Sequence, residues 1–354
     1  MRIPAHRLDR QLVARQRFRT PAEVVAWLGA MQAQDYLAAL WGLGLRTPKS
    51  TEATIETAIA DGSVIRTHVF RGTWQYVARE DVRWMLGLVG ARVIASAASR
   101  LRELELDRKT LKRCGELFAK ALAGGRQLTR KEMAEVLARA RIRAVNRRLF
   151  YILWHAELDG VTCSGARRGK QSTFALMDDR VPKARALTRE TALAGLATRY
   201  FRSRGPATAR DFAWWSGLTL GEARQAVALA GTSLESTMIH GEAFWFVGDR
   251  AAPQLSPTAH LLPAFDEYLV GYQNRNAVID PVHARKVNNA GGILKPAVVI
   301  DGRVAGIWGR TLARETVAIT VRPFGPLTRP ERDALADAAA RYGRFLGLAP
   351  RLLG

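Results

Sequence analysis

The chain has 354 residues, 48% of them hydrophobic, with 54 Lys and Arg against 32 Asp and Glu, for a formal charge of +22 and a pI near 11.0. That length exceeds what one hydrophobic core usually serves, so several domains are expected, and the charge points to a polyanion, nucleic acid before an anionic membrane. Two cysteines, Cys114 and Cys163, are too few for a disulfide framework or a cysteine zinc site, and without a secretory leader or a run of about 18 apolar residues a cytoplasmic, nucleoid-associated protein with no membrane role is expected.

Taken in chain order, the first helix signal is TPAEVVAWL from Thr20, followed by TRKEMAEVL from Thr129 and TARDFAWWS from Thr208. Each places an acid three residues after a threonine and ahead of an apolar stripe, which predicts a capping box. After each come a further helix and two β-rich runs. These runs meet around Arg71-Gly72 in the first segment, at the basic tip SGARRGK in the second and at His240-Gly241-Glu242 in the third. Aligned on their boxes, the segments read as one repeat. Helix, turn, helix and hairpin is the order of a winged helix-turn-helix, so three tandem units are expected over residues 5–90, 100–180 and 188–250.

From 251 to 354 the texture changes. GGILKPAVVI runs through the turn Asp301-Gly302 into RVAGIWGRT, and ETVAITVRPF follows, which predicts an antiparallel sheet of three or more strands. Thr328 and Glu331 cap a last helix reaching about Leu346. The expected fold class is α+β, with three winged helix-turn-helix units ahead of a small C-terminal β-barrel or sheet domain closed by a helix.

Charge distinguishes the units. The second carries Arg139, Arg141, Arg143, Arg147 and Arg148 near its recognition-helix segment, and Arg167, Arg168 and Lys170 on its wing. The third has Arg202, Arg204 and Arg210 but Glu242 in its wing turn. Phosphate contacts fix the register of such motifs on DNA, so Arg147, Arg148, Arg167, Arg168 and Lys170 are candidate DNA contacts, together with Arg66 and Arg71 of the first unit. The glycines around Arg167 and Arg168 allow close approach to a backbone.

The stretch AMQAQDYLAAL, residues 30–40, carries the least ordinary chemistry. On a helix Gln32 and Gln34 would point about 200° apart, so shared work requires an extended or turning backbone that sets two uncharged amides on one side. Amides are weak bases, which leaves either a structural hydrogen-bonding pair or a reaction needing little base strength. Asp35 beside them, His68 in RTHVF and Asp266-Glu267 in LLPAFDEYLVGY are further candidates, His68 also reading as a satisfied buried histidine and the acid pair as a polar step at a domain interface. Six scattered histidines show no metal spacing, and no P-loop, dinucleotide fingerprint or Gly-x-Ser-x-Gly elbow is present, so neither metal nor cofactor is expected.

Taken together, MQAQDY, RTHVFRGTWQYV, SGARRGKQSTFALMDDR, RGPATARDFAWWSGLT, LLPAFDEYLVGY and DGRVAGIWGR give a chain that resembles the AlkZ-like and YcaQ-like DNA glycosylases along nearly its whole length. The resemblance implies three winged-helix units and a C-terminal β-barrel around a DNA-cradling concavity, with Gln32 and Gln34 of a Gln-apolar-Gln motif as the catalytic pair; Asp35 and His68 remain auxiliary candidates on their own positions. It also implies a DNA glycosylase that removes alkylated bases and unhooks interstrand crosslinks. Because weakly basic amides suit a base that already carries positive charge, the expected activity is a monofunctional N-glycosyl hydrolase of cationic N7 or N3 alkylpurines in double-stranded DNA, acting as a monomer. Gln75 in RGTWQ departs from the family's Arg-x-Thr-Trp-His. The competing expectation is a non-catalytic winged-helix regulator, for which Gln32 and Gln34 would only be helix-end hydrogen-bond partners; a protein that merely uses its charge on RNA or an anionic surface fits the ordered elements less well.

Overall fold

The computed structural model describes residues 2–184, 186–248, 258–289 and 292–353. After α1 (Ile3–Arg10), the chain runs α2 (Pro21–Leu28), β1 (Ala30–Gln32), α3 (Tyr36–Gly44), α4 (Glu52–Ala60), β2 (Val64–His68) and β3 (Trp74–Ala78), and the three strands pair in the order β1-β3-β2. Helices α5 (Val82–Ser96) and α6 (Ala98–Glu103) lead into α7 (Arg108–Leu122), β4 (Leu128–Thr129), α8 (Arg130–Arg139), α9 (Asn146–Leu158), β5 (Thr162–Ser164) and β6 (Thr173–Leu176), paired β4-β6-β5. A short α10 (Met177–Arg180) precedes α11 (Arg189–Arg204), α12 (Ala209–Ser216), α13 (Leu220–Ala230), β7 (Glu235–Ile239) and β8 (Glu242–Phe246), where a lone bridge from Ala207 to Trp245 stands in for the first strand. Helix, extended segment, two helices and hairpin therefore recur three times with the same sheet order.

The expected alignment of the repeat on its capping boxes is corrected by this topology. The Thr20 box starts the helix before the first strand, whereas the Thr129 and Thr208 boxes start the helix after it. In the first unit the cap of the corresponding helix is Asp35, whose Oδ1 accepts from the Ala38 N–H at 3.1 Å. Capping boxes serve any helix start that leaves backbone donors unpaired, so the box does not mark position within the repeat.

The hairpin turns expected at Arg71-Gly72, His240-Gly241 and Asp301-Gly302 are present, and all six residues adopt positive φ. The remainder comprises β9 (Ala259–Leu262), α14 (Glu267–Val270), α15 (Ala284–Val287), β10 (Asn288–Asn289), β11 (Ile293–Leu294), β12 (Ala297–Ile300), β13 (Arg303–Leu312), β14 (Thr316–Pro323), α16 (Arg329–Leu346) and β15 (Ala349–Leu353). The five-stranded sheet runs β15-β14-β13-β12-β9, antiparallel except at β14–β15. Among the described residues no pairing joins β15 to β9, so the sheet is a curled half-barrel with two edges and not a closed barrel. The boundary expected near residue 250 lies outside the described residues.

Three apolar clusters hold these elements. One fuses the first unit with the half-barrel and α16, through Leu28, Trp41, Leu261, Val298, Trp308 and Phe345; the Trp41 indole also donates to the Leu261 carbonyl at 2.6 Å and packs edge-on against Tyr342. A second joins the opposite face of the β1-β3-β2 sheet to α5 and the third unit through Phe70, Val77, Val89, Tyr200 and Trp215. The second unit keeps its own, around Phe118, Met133, Leu137 and Ile152. The first unit is thus gripped on both faces.

Candidate active site

Strand β1 lies at the edge of its sheet and carries the Gln-Ala-Gln motif out of its C-terminal end. The Ala33 N–H donates to the Trp74 carbonyl at 2.7 Å, which extends the pairing past Gln32 and keeps the backbone open through the motif. The side chains alternate, and both glutamines lean on the turn between β2 and β3. Gln32 Oε1 accepts from Arg71 Nη2 at 2.9 Å, and Gln34 Oε1 accepts from the Trp74 N–H at 3.3 Å. Gln32 is buried and Gln34 exposed.

Arg71 can reach Gln32 because it holds φ 56°, a left-handed conformation uncommon for a side chain with a Cβ. Its guanidinium is fixed by the carbonyls of Trp214 and Trp215 as well, and Gly217, the left-handed cap of α12, sits against the Arg71 backbone. Burial pulls the Arg71 pKa down and the Glu267 carboxylate opposes that shift. From behind, Glu267 Oε1 accepts the Gln32 N–H at 2.7 Å, while its Oε2 takes Trp215 Nε1 at 3.1 Å and Arg204 Nε at 3.0 Å. Arg204 also donates to the carbonyl of Ala30 at 2.7 Å. The motif is clamped by a fully buried ion pair.

The other expected site residues divide by place. Arg66 is buried and donates Nε and Nη2 to the Ala33 carbonyl at 3.1 and 3.0 Å, its guanidinium 4.4 Å above the Trp74 ring, so it braces the middle of the motif. Burial lowers its pKa. Asp35 is the α3 cap. His68 pairs with Trp74 in the sheet register, one residue out of step with the Thr67–Gln75–Gln32 row, and therefore faces the side away from the Gln32 amide. There it sits against Glu157, which also accepts Trp74 Nε1 at 3.1 Å. Gln75, by contrast, lies directly across from Gln32 on the same face, buried, with its Nε2 3.5 Å from the Phe70 carbonyl. Asp266 and Glu267 take the interface role: Asp266 is paired with buried Arg46 through two contacts of 2.8 Å.

The structure brings the second unit's wing to the motif. Arg167 pairs with Glu56 at 2.7 Å and lies 4.7 Å over the ring of Tyr36, the first residue of α3. Arg168 reaches Glu132 and the Gln127 carbonyl, each at 2.7 Å, and Lys170 is exposed beside it. Arg147 is exposed, whereas half-buried Arg148 donates to the carbonyls of Leu104 and Arg143. Sequence reasoning missed Trp215 and Glu157 and counted Arg204 only in the third unit's charge; nothing local in the chain marks these roles, because each depends on contacts far away along the sequence.

An edge strand presenting two amides, backed by a buried ion pair and flanked by a basic hairpin, is the setting in which the relatives of this chain become informative. A profile described as DNA glycosylase AlkZ-like matches residues 25–345, and the chain belongs to the AlkZ-like DNA glycosylase family. It is similar to the interstrand DNA cross-link repair glycosylase of Streptomyces sahachiroi, at 27% identity over 98% of this chain and 96% of that protein. It is also similar to the solved structure of the Streptomyces sahachiroi DNA glycosylase AlkZ, with a TM-score of 0.81 and 25% identity over 99% of this chain and 98% of that one.

Proposed function

We propose that the protein hydrolyses the N-glycosidic bond of purines made cationic by alkylation at N7 or N3, and unhooks interstrand crosslinks formed through such sites, acting as a monomer on double-stranded DNA. The three repeated units are read as winged helices over 5–90, 100–180 and 188–250, with the half-barrel domain over 251–354. The observation that carries this reading is the pair of amides, one residue apart, at the end of one edge strand. Glycosidic cleavage builds oxocarbenium character at C1′, and its difficulty depends on how readily the base departs. An alkylated purine already bears positive charge and leaves without a strong acid.

Gln32 and Gln34 then have a task suited to amides. A carbonyl oxygen has two lone pairs, so Gln32 Oε1, which accepts one hydrogen bond from Arg71, retains capacity to accept from a water and aim it at C1′. Its dipole also faces the developing sugar cation, and positioning with electrostatic stabilisation of this kind is worth several kcal/mol. Arg167, Arg168 and Lys170 hold the strand backbone from the wing.

Single-turnover release of base from a duplex carrying one N7-methylguanine tests this. Gln32→Ala and Gln34→Ala are each expected to slow release by about a hundredfold while duplex binding persists, and an uncharged lesion such as uracil should stay uncut. Unchanged rates in both variants, or efficient uracil excision, would sink the reading.

A further inference from the structure

Trp214 is the one aromatic residue among the large exposed hydrophobics of the described chain, with 43% of its surface open. Its neighbour Trp215, about 100° round the helix, turns inward and donates to Glu267, so α12 places one indole in the core and the other at the surface. The outer indole is joined to Gln32 by two short routes. Its own carbonyl accepts from Arg71 Nη1 at 3.2 Å, and the other nitrogen of that guanidinium holds the Gln32 amide. Its Nε1–H donates to the Val270 carbonyl at 3.3 Å, at the end of the short helix whose first residue, Glu267, accepts the Gln32 N–H. The ring edge is tethered, and the Arg275 guanidinium lies 5.9 Å from the ring centre.

We propose that Trp214 is a substrate-binding residue whose open face stacks on the alkylated purine while the glycosidic bond of that purine faces Gln32 and Gln34. This rests on the glycosylase reading above and adds the means of lesion preference. An indole is the best aromatic partner for a cation, so a purine carrying positive charge stacks on it more tightly than the unmodified base. Stacking also demands nothing of the base edges, which tolerates adducts of varied shape. When the C1′–N bond breaks, the bonding pair stays with the purine and cancels its charge, water adds to C1′ and gives up a proton to solvent, and the neutral product is held less tightly than the substrate was.

The test compares binding of the full-length protein to two duplexes, one with a single N7-methylguanine on a 2′-fluoro sugar that resists cleavage and one with guanine at that position. Wild type should prefer the methylated duplex. Trp214→Ala and Trp214→Leu should reduce that preference, taken for each variant as the ratio of its two affinities, by about tenfold or more, and Trp214→Phe should keep it within about threefold. Full preference in Trp214→Leu, equal loss in all variants including Phe, or no preference in wild type would overturn the proposal. Base release by wild type from the ordinary deoxy substrate, measured separately, reports on the glycosylase reading: release with an unaffected Trp214→Leu sinks the stacking role alone, and preference without release sinks the glycosylase reading alone.

Discussion

Glu267 shows how much one side chain can hold in place. Its carboxylate, 1% exposed, satisfies the strand that carries Gln32, an indole from α12 and the guanidinium of Arg204 at once. Removing one partner of a buried ion pair leaves the other charged and dry, at a cost of about 3–5 kcal/mol. Glu267→Ala is therefore expected to lose about that much stability in urea unfolding, and Glu267→Gln, which keeps an oxygen for the Gln32 N–H, should lose less. Equal stability of wild type and the alanine variant would show the clamp to be idle. That any shared work by Gln32 and Gln34 needs an open backbone was legible from their spacing, and the backbone is open through the motif. The clamp on the motif was not legible, because the Gln32 N–H and the Glu267 carboxylate are 235 residues apart in sequence.

Helices and strands follow the same division. Thr20, Thr129, Thr208 and Thr328 were readable as helix starts because a cap is a local exchange of hydrogen bonds over four residues. Which helix of a repeat each one starts depends on strand pairing, and there the boxes misled. Strand β9 carries a consequence of burial that can be measured. His260 lies inside the half-barrel, and burial, helped by the charges of Arg341 and Arg46, lowers its pKa from an ordinary 6.5 to about 4. The unfolded chain takes up a proton below about 6.5 while the folded chain refuses it until about 4. The stability from neutral His260 is thus complete above about pH 6.5 and drains away as the pH falls toward 4, amounting to about 3 kcal/mol. His260→Leu should flatten that part of the stability profile, seen as a smaller difference in Tm between pH 7 and pH 4.5 than wild type shows; identical slopes would contradict it.

Across the whole molecule, charge and core are arranged differently from one another. The apolar clusters bind the first unit to the third and to the half-barrel, while the second unit joins them through Trp154, Leu158, Cys163 and Met177, keeps a further core of its own and carries Arg139, Arg141, Arg143, Arg147, Arg168 and Lys170 exposed at its surface. If that unit grips phosphates, the logarithm of the duplex affinity should fall steeply with the logarithm of salt concentration. Replacing Arg139, Arg141 and Arg147 by alanine should reduce the slope by about 0.9 for each phosphate that is no longer neutralised. A slope that does not change would place the DNA elsewhere.

What could be read along the chain was the local and the additive: α+β texture, hairpin turns at Arg71-Gly72, His240-Gly241 and Asp301-Gly302, helix starts at threonines followed by an acid, a large positive charge, and an extended Gln-Ala-Gln element. Each of these depends on a handful of consecutive residues or on a sum over all of them. Folding in three dimensions settled the rest: that the sheet opens as a half-barrel, that Asp35 serves as a helix cap, that His68 turns away from the glutamines, and that Arg66, Arg204 and Glu267 brace the motif. Those outcomes turn on which face of a strand meets which neighbour and on buried charges finding partners far off in sequence, and a linear pattern carries no measure of either.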